Sequence, residues 1–151
     1  MSCHGEVEFA HGVKVVVTGG AGFIGSQLGH HLHELGCRVT LIDDMSYGRP
    51  DNLVIDGKRF GKFVLGDVRD QELMRRELEG ATYVVHLAGI APLPANQIDP
   101  QNSISVNVGG LASTLEAARH TGVKRVLFSS TSATYENNTK VWQHYGLIIS
   151  T

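Results

Sequence analysis

The chain has 151 residues, 42% of them hydrophobic and 19% charged, with a formal net charge of −2. That length suits one domain around a single core, and the near-neutral balance lacks the basic field that would make nucleic acid a partner. No apolar run approaches the ~20 residues of a bilayer span, so no membrane partner is expected. Residues 1–12 are polar without an apolar signal core and read as the short tail of a cytoplasmic protein. Cys3 and Cys37 fall in no disulfide or metal spacing.

In chain order, the apolar run Val15-Val16-Val17 reads as a first strand, and it ends in Thr18-Gly19-Gly20-Ala21-Gly22-Phe23-Ile24-Gly25. Gly19 permits the tight turn, Gly22 lets a ligand reach main chain, and Gly25 lets the following helix pack close. A helix start with uncovered N–H groups attracts anions and suits a pyrophosphate. No Lys-Ser/Thr pair follows, which excludes a nucleoside-triphosphate P-loop. Ile24, Leu28, Leu32 and Leu35 recur at helical spacing as the expected buried stripe, and Gly36 is the stop. Of His30, His31 and His33, only the first and last share a face and no acid or cysteine completes a metal set, so they read as helix surface. Cys37 is expected where this helix meets the second strand.

The second strand, Arg38 to Ile42, ends in Asp43, 24 residues beyond Gly19, where an acid accepts hydrogen bonds from an adenosine ribose. Ser46 to Lys62 is polar, with Gly48, Pro50 and Gly57 as breakers, and reads as loop. Phe63-Val64-Leu65 is a short third strand. Asp67-Val68 after it is either a carboxylate and apolar neighbour for an adenine edge or an acid entering the next helix. Asp70 caps that helix, which carries Leu73, Met74 and Leu78 and ends at Gly80. Tyr83 to Leu87 is a fourth strand with His86 as a satisfied core residue, and small Ala88 and Gly89 follow at its tip. A Pro/Ala-rich loop leads to a long helix from near Gln101 with the stripe Ile104, Val108, Leu111, Leu115, Ala118. Asn107 lies within that stripe, either bracing the sheet or positioning a water or carbonyl. Val126-Leu127-Phe128 is a fifth strand, and the hydroxyls of Ser129 to Ser132 follow it, either to polarise a substrate oxygen or simply as a turn. Continuous apolar strands alternating with helices mean an α/β doubly wound parallel sheet with its ligand at the carboxyl ends of the strands.

With these elements placed, residues 13–135 resemble the extended short-chain dehydrogenase/reductase family, the NAD-dependent epimerase/dehydratase group acting on nucleotide sugars. The family's T-G-x-x-G-x-x-G is similar to Thr18–Gly25, its acidic second-strand end to Asp43-Asp44, and its Asp-Val pair to Asp67-Val68. Its H-x-A-[AG] strand end resembles His86 to Gly89. Its D-P-x(6)-N-V-x-G-T run resembles Asp99-Pro100 with Asn107-Val108-Gly109-Gly110, where Gly110 replaces the usual Thr. Its S-S-[ST]-x-x-x-Y-G segment is similar to Ser129-Ser130-Thr131 with Tyr135, followed by Glu136 in place of Gly.

The resemblance implies a Rossmann-like fold and NAD held by Gly19, Gly22, Phe23, Ile24, Gly25, Asp43 and Asp44. It extends the cofactor site to Asp67, Val68, Leu87, Ala88, Gly89 and Asn107, with Thr131 as the catalytic hydroxyl and a nucleotide sugar as substrate. NAD is preferred over NADP because Asp43 repels a 2′-phosphate, unless Arg49 folds back to offset it. The family's basic Tyr stands in Y-x-x-x-K, yet here Tyr135 is followed four later by Thr139 and Tyr145 by Ile149. The expectation is therefore an amino-terminal portion, truncated after about the fifth strand and inactive alone. A non-catalytic dinucleotide-binding or sensor module is the alternative. Residues 136–151 carry no assigned role, and an uncovered fifth strand would favour self-association.

Overall fold

In β1 (Lys14–Thr18), Val15 and Val17 point to one face of the sheet and Val16 to the other, and all three are fully buried. A strand buried on both faces needs helices above and below it. The structure, a computed structural model, describes residues 11–91, 93–130 and 147–150. After β1 come α1 (Phe23–Glu34), β2 (Arg38–Asp43), a 3-10 turn (Pro50–Leu53), β3 (Val54–Ile55), β4 (Lys58–Arg59) and β5 (Lys62–Leu65). Then follow α2 (Gln71–Leu78), β6 (Tyr83–His86), α3 (Leu93–Ile98) and α4 (Pro100–Ile104). A π-helical turn (Ser105–Gly109), α5 (Gly110–Thr121), β7 (Arg125–Phe128) and β8 (Leu147–Ser150) complete the order.

The main sheet runs β5-β2-β1-β6-β7-β8, and its first five members are parallel. Strand order therefore reverses between β1 and β6, which opens a crevice at their carboxyl ends. One core, around Val16, Ile42, Met74, Leu78, Val84 and Ala118, lies under α2 and α5. The other, around Val15, Val17, Leu32, Leu41 and Phe60, lies under α1. Cys37 belongs to this second core beside Leu32 and Val39, and burial raises its thiol pKa, as befits an inert packing residue.

Several expectations are corrected. The edge of β7 is not open: β8 pairs with it antiparallel, Val126 opposite Ile149 and Leu127 opposite Ile148. Edge-driven self-association loses its ground on that side. The stretch read as plain loop contains the two-stranded β3–β4 hairpin, turning at Asp56 and Gly57 with φ of 51° and 74°. It also delivers Leu53 and Phe60 into the core beside α1, where His30 meets the Phe60 ring edge-on at 5.2 Å.

The buried face of α1 is Gly25, Ser26, Gly29 and Leu32, while Ile24 is 65% exposed. Small residues let this helix lie close on β2, since a Cβ on Gly29 would stand 2.6 Å from Leu41 Cδ2. The helix from Pro100 is likewise not one regular stripe. Its π turn inserts a residue's worth of rotation, about 100°, and leaves Ile104 and Val108 each 63% exposed. Ala118 and Leu115 of the expected stripe do pack on the core, joined there by Ser113, Thr114 and Ala117.

Candidate functional site

The glycine turn between β1 and α1 is shaped by close approaches. Gly19 has φ 68°, and a Cβ there would stand 2.8 Å from the Ala88 nitrogen at the tip of β6. A Cβ on Gly25 would overlap the Gly19 carbonyl oxygen. The first intrahelical bond runs from Ser26 N to Gly22 O at 3.0 Å. No side chain caps α1 and no acid stands in its first turn. The amides of Phe23, Ile24 and Gly25 therefore precede the helical ladder and carry the positive end of its dipole. The Phe23 side chain is 81% exposed and does not cover them.

Asp43 is buried, and both of its oxygens are engaged. Oδ2 accepts from Ala21 N at 2.9 Å and Oδ1 from Met45 N at 2.8 Å. The acid thus staples the glycine turn to the loop after β2, and each oxygen retains a second acceptor lobe. Asp44 is exposed beside it, with Oδ1 accepting from Ser46 N at 2.9 Å. Arg49 is exposed and is not among the residues lining the neighbouring cavity.

Asp67 is not the helix-entry cap. Asp70 is, accepting from Glu72 N at 3.0 Å and Leu73 N at 3.1 Å. Asp67 instead accepts from Arg69 N at 2.8 Å and from the Arg69 guanidinium through both oxygens. The Arg69 hydrogen bond holds its carboxyl below the usual carboxylate range. The far nitrogen of Arg69 donates to Asn102 Oδ1 at 3.2 Å and Ser105 Oγ at 3.1 Å.

At the tip of β6, Thr18 Oγ1 accepts from Leu87 N and Ala88 N, each at 3.2 Å, and lies 3.0 Å from His86 Nδ1. Asn107 grips Ile90 at two points, accepting from its N–H at 2.7 Å and donating to its carbonyl at 3.1 Å. Of the two roles expected of Asn107, holding a carbonyl is the nearer, here that of Ile90. It braces the loop after the strand, not the sheet itself. His86 is only partly the satisfied core residue expected, because its Nε2 has no partner among the described residues.

These pieces border a groove along the carboxyl edge of the sheet. A cavity of about 380 Å³ lies between the Asp43 and Asp67 strand ends. A second, of about 930 Å³, is bordered by Phe23, Ile24, Asn107, Ser129 and Ser130. Both share Gly19, Gly22 and Leu87–Ile90, so the groove is continuous across the glycine turn. Sequence reasoning missed Arg69, Asn102 and Tyr47, which also line the acid side. The expected catalytic Thr131, with Tyr135 and Tyr145, lies outside the described residues. Among the described residues there is no metal-binding cluster and no helix long and apolar enough to cross a membrane.

A UDP-glucose 4-epimerase of Streptomyces lividans is 38% identical over 125 residues, 81% of this chain and 37% of that protein. The Brucella ovis UDP-glucose 4-epimerase, solved in complex with NAD, superposes with a TM-score of 0.77 at 35% identity, covering 85% of this chain and 39% of that one. The Stenotrophomonas maltophila UDP-glucose-4-epimerase, solved with NAD and formylated UDP-arabinopyranose, gives 0.79 at 28% identity over 87% of this chain and 40% of that one. The chain therefore spans about two fifths of the length of the relatives it matches. The profile of the NAD dependent epimerase/dehydratase family matches residues 15–146. With that match lying across the glycine turn, both acid-bearing strand ends and the Asn107 helix, the chain belongs to the NAD dependent epimerase/dehydratase family.

Proposed function

We propose that this chain is the NAD-binding portion of a nucleotide-sugar epimerase or dehydratase, with residues 13–135 as the cofactor-binding unit. The observation that carries this reading is the uncapped start of α1, whose first amides open into a groove running between two acid-bearing strand ends. Gly19, Gly22, Phe23, Ile24 and Gly25 would hold the bridging phosphates through main chain. Asp43, through its free acceptor lobes, and exposed Asp44 would receive the adenosine ribose hydroxyls. Asp67 and Val68 would meet the adenine. Leu87, Ala88 and Gly89 give a side-chain-poor wall for the rest of the dinucleotide, and Asn107 fixes that wall through Ile90.

The groove also supports NAD over NADP, since Asp43 and Asp44 both border the acid-side cavity and repel a 2′-phosphate. When bound, NAD supplies the hydride acceptor for oxidation at a sugar carbon, and Thr131 would orient the reacting oxygen. The relatives solved with NAD and with UDP-sugars favour a nucleotide sugar as the substrate. None of the four tyrosines is followed four residues later by lysine. We therefore propose that the 151-residue chain binds the cofactor without turning over a sugar. That same observation keeps a non-catalytic dinucleotide-binding module as the second reading.

Calorimetric titration tests the proposal. NAD and ADP-ribose should bind with affinities within a few fold of each other, because the glycine turn and the acid-bearing strand ends serve the adenosine-diphosphate half that the two ligands share. A folded chain that binds neither at millimolar concentration refutes cofactor binding. Interconversion of UDP-glucose and UDP-galactose by the purified chain refutes the absence of turnover.

A further inference from the structure

Arg69 is the only cationic side chain among the described residues lining the acid-side cavity, against Asp43, Asp44 and Asp67. Its guanidinium has five N–H donors. Nε reaches both oxygens of Asp67, at 3.0 and 2.9 Å, and Nη2 reaches Oδ2. Nη1 reaches Asn102 Oδ1 and Ser105 Oγ. Bonds along opposite edges of a planar group fix both its position and its plane.

The consequence falls on Asp67. A carboxylate held in a fork by a guanidinium lies near the guanidinium plane, and its own Arg69 N–H bond closes a turn that stops it swinging out. The next residue is closely packed as well, since a Cβ on Gly110 would stand 2.6 Å from Val68 Cγ2. Asp67 thus presents a fixed, ionised group in which three Arg69 N–H donors leave one acceptor lobe, on Oδ2, and no donor. Such a group welcomes a ring edge bearing an amino group and rejects one bearing a carbonyl oxygen, where two acceptors would face each other.

We propose that Arg69 is a positioning residue for purine specificity: by locking Asp67 as an oriented acceptor, it selects a dinucleotide with a 6-amino purine over one with a 6-oxo purine. The inference rests on the dinucleotide-binding reading above. A merely structural arginine would, when replaced, weaken both dinucleotides by one factor. A positioning arginine changes their ratio.

The experiment is calorimetric titration of NAD and nicotinamide hypoxanthine dinucleotide into the wild type, Arg69→Gln and Arg69→Lys. The wild type should prefer NAD by about tenfold or more, and Arg69→Gln should bring the two within about threefold. Arg69→Lys keeps the charge but not the fork and should fall with Gln, not with the wild type. Asn102→Ala, at an exposed position, removes one of the two Nη1 partners and leaves Ser105 Oγ; it should narrow the ratio partly, which provides a test should an Arg69 variant not fold. A wild type that binds neither dinucleotide sinks the cofactor reading and this inference together. A wild type that prefers NAD, with the preference unchanged in the variants, overturns the role of Arg69 alone.

Discussion

Acidification should loosen this fold through one buried imidazole. His86 is 1% exposed, and burial lowers its pKa from 6.5 to about 4. The groups touching its ring are neutral: the hydroxyls of Thr18 and Thr114 at 3.0 and 3.1 Å, and the Phe128 ring. Among the described residues no anion touches it to compensate a proton. Between pH 6.5 and 4 the unfolded chain therefore binds a proton at this residue that the folded chain refuses. The contribution of neutral His86 is complete above pH 6.5 and drains away as pH falls through about 4. The full difference is on the order of 3 kcal/mol, of which about 2 kcal/mol disappears between pH 7 and pH 5.

Against a small domain's total stability of about 5–15 kcal/mol, that loss is readily measured. The groups with lowered carboxyl pKa values act at lower pH. In Glu77, burial is outweighed by hydrogen bonds from Lys62 and Arg76, and in Glu116 the Arg119 hydrogen bond leads in bringing the pKa to about 2. Urea unfolding at pH 7, 6 and 5 reads the effect, with His86→Gln as the reference that cannot titrate. The wild-type midpoint should fall more steeply than the variant's, and the imidazole Cε1 proton of His86 should show no titration above pH 5. Parallel stability curves, or a His86 midpoint near 6.5, would refute the reasoning.

Three further outcomes follow from the contacts. Asp43→Asn must turn an amide NH2 toward either Ala21 N or Met45 N. It should cost about 1–3 kcal/mol in thermal unfolding, whereas exposed Asp44→Asn should leave the melting point unchanged and narrow the NAD-over-NADP ratio in competitive titration. Gly25→Ala should unfold the turn or abolish NAD binding, because its Cβ collides with the Gly19 carbonyl, while Gly109→Ala, with nothing within 4 Å, should stabilise by about 0.5–1 kcal/mol. Circular dichroism melts of the two variants decide between these opposite signs. Asn107→Asp keeps an acceptor for the Ile90 N–H but sets a second acceptor against the Ile90 carbonyl, whereas Asn107→Ala removes both partners, so amide exchange at Ile90 should accelerate most in Asn107→Ala, with Asn107→Asp between it and the wild type.

Those features that a residue and its immediate neighbours determine were legible from the sequence. Asp70 reads as a cap because an acid before Gln71 accepts the free amides of the next turn, and it does so. The apolar strands, the glycine turn and the stop at Gly36 are equally local. Arg69 was not legible, because its importance lies in joining Asp67 to Asn102 and Ser105, 33 and 36 residues later. The register of β8 on β7 is likewise a long-range pairing that Leu147–Ser150 does not announce. The β3–β4 hairpin did carry its signal in Asp56-Gly57, but strands of two residues each show no alternation to frame it.

The misread helix faces share small inward residues. Apolar periodicity assumes that a helix turns its bulkiest side chains inward, yet here the inward positions of α1 are Gly25, Ser26 and Gly29, and those of α5 are Gly110, Ser113 and Thr114. An added Cβ would strike the turn at Gly25, the sheet residue Leu41 at Gly29, and Val68 after β5 at Gly110. Main chain is exposed at the carboxyl edge only if helix starts come down nearly onto the strands, and large side chains there would lift them away. On α1 the bulky residue is displaced outward as a result, so Ile24 stands exposed beside a site made of backbone, while Ile104 and Val108 are turned out by the π turn. A helical stripe broken by glycine and serine next to a glycine turn is thus better read as close approach than as a weak core.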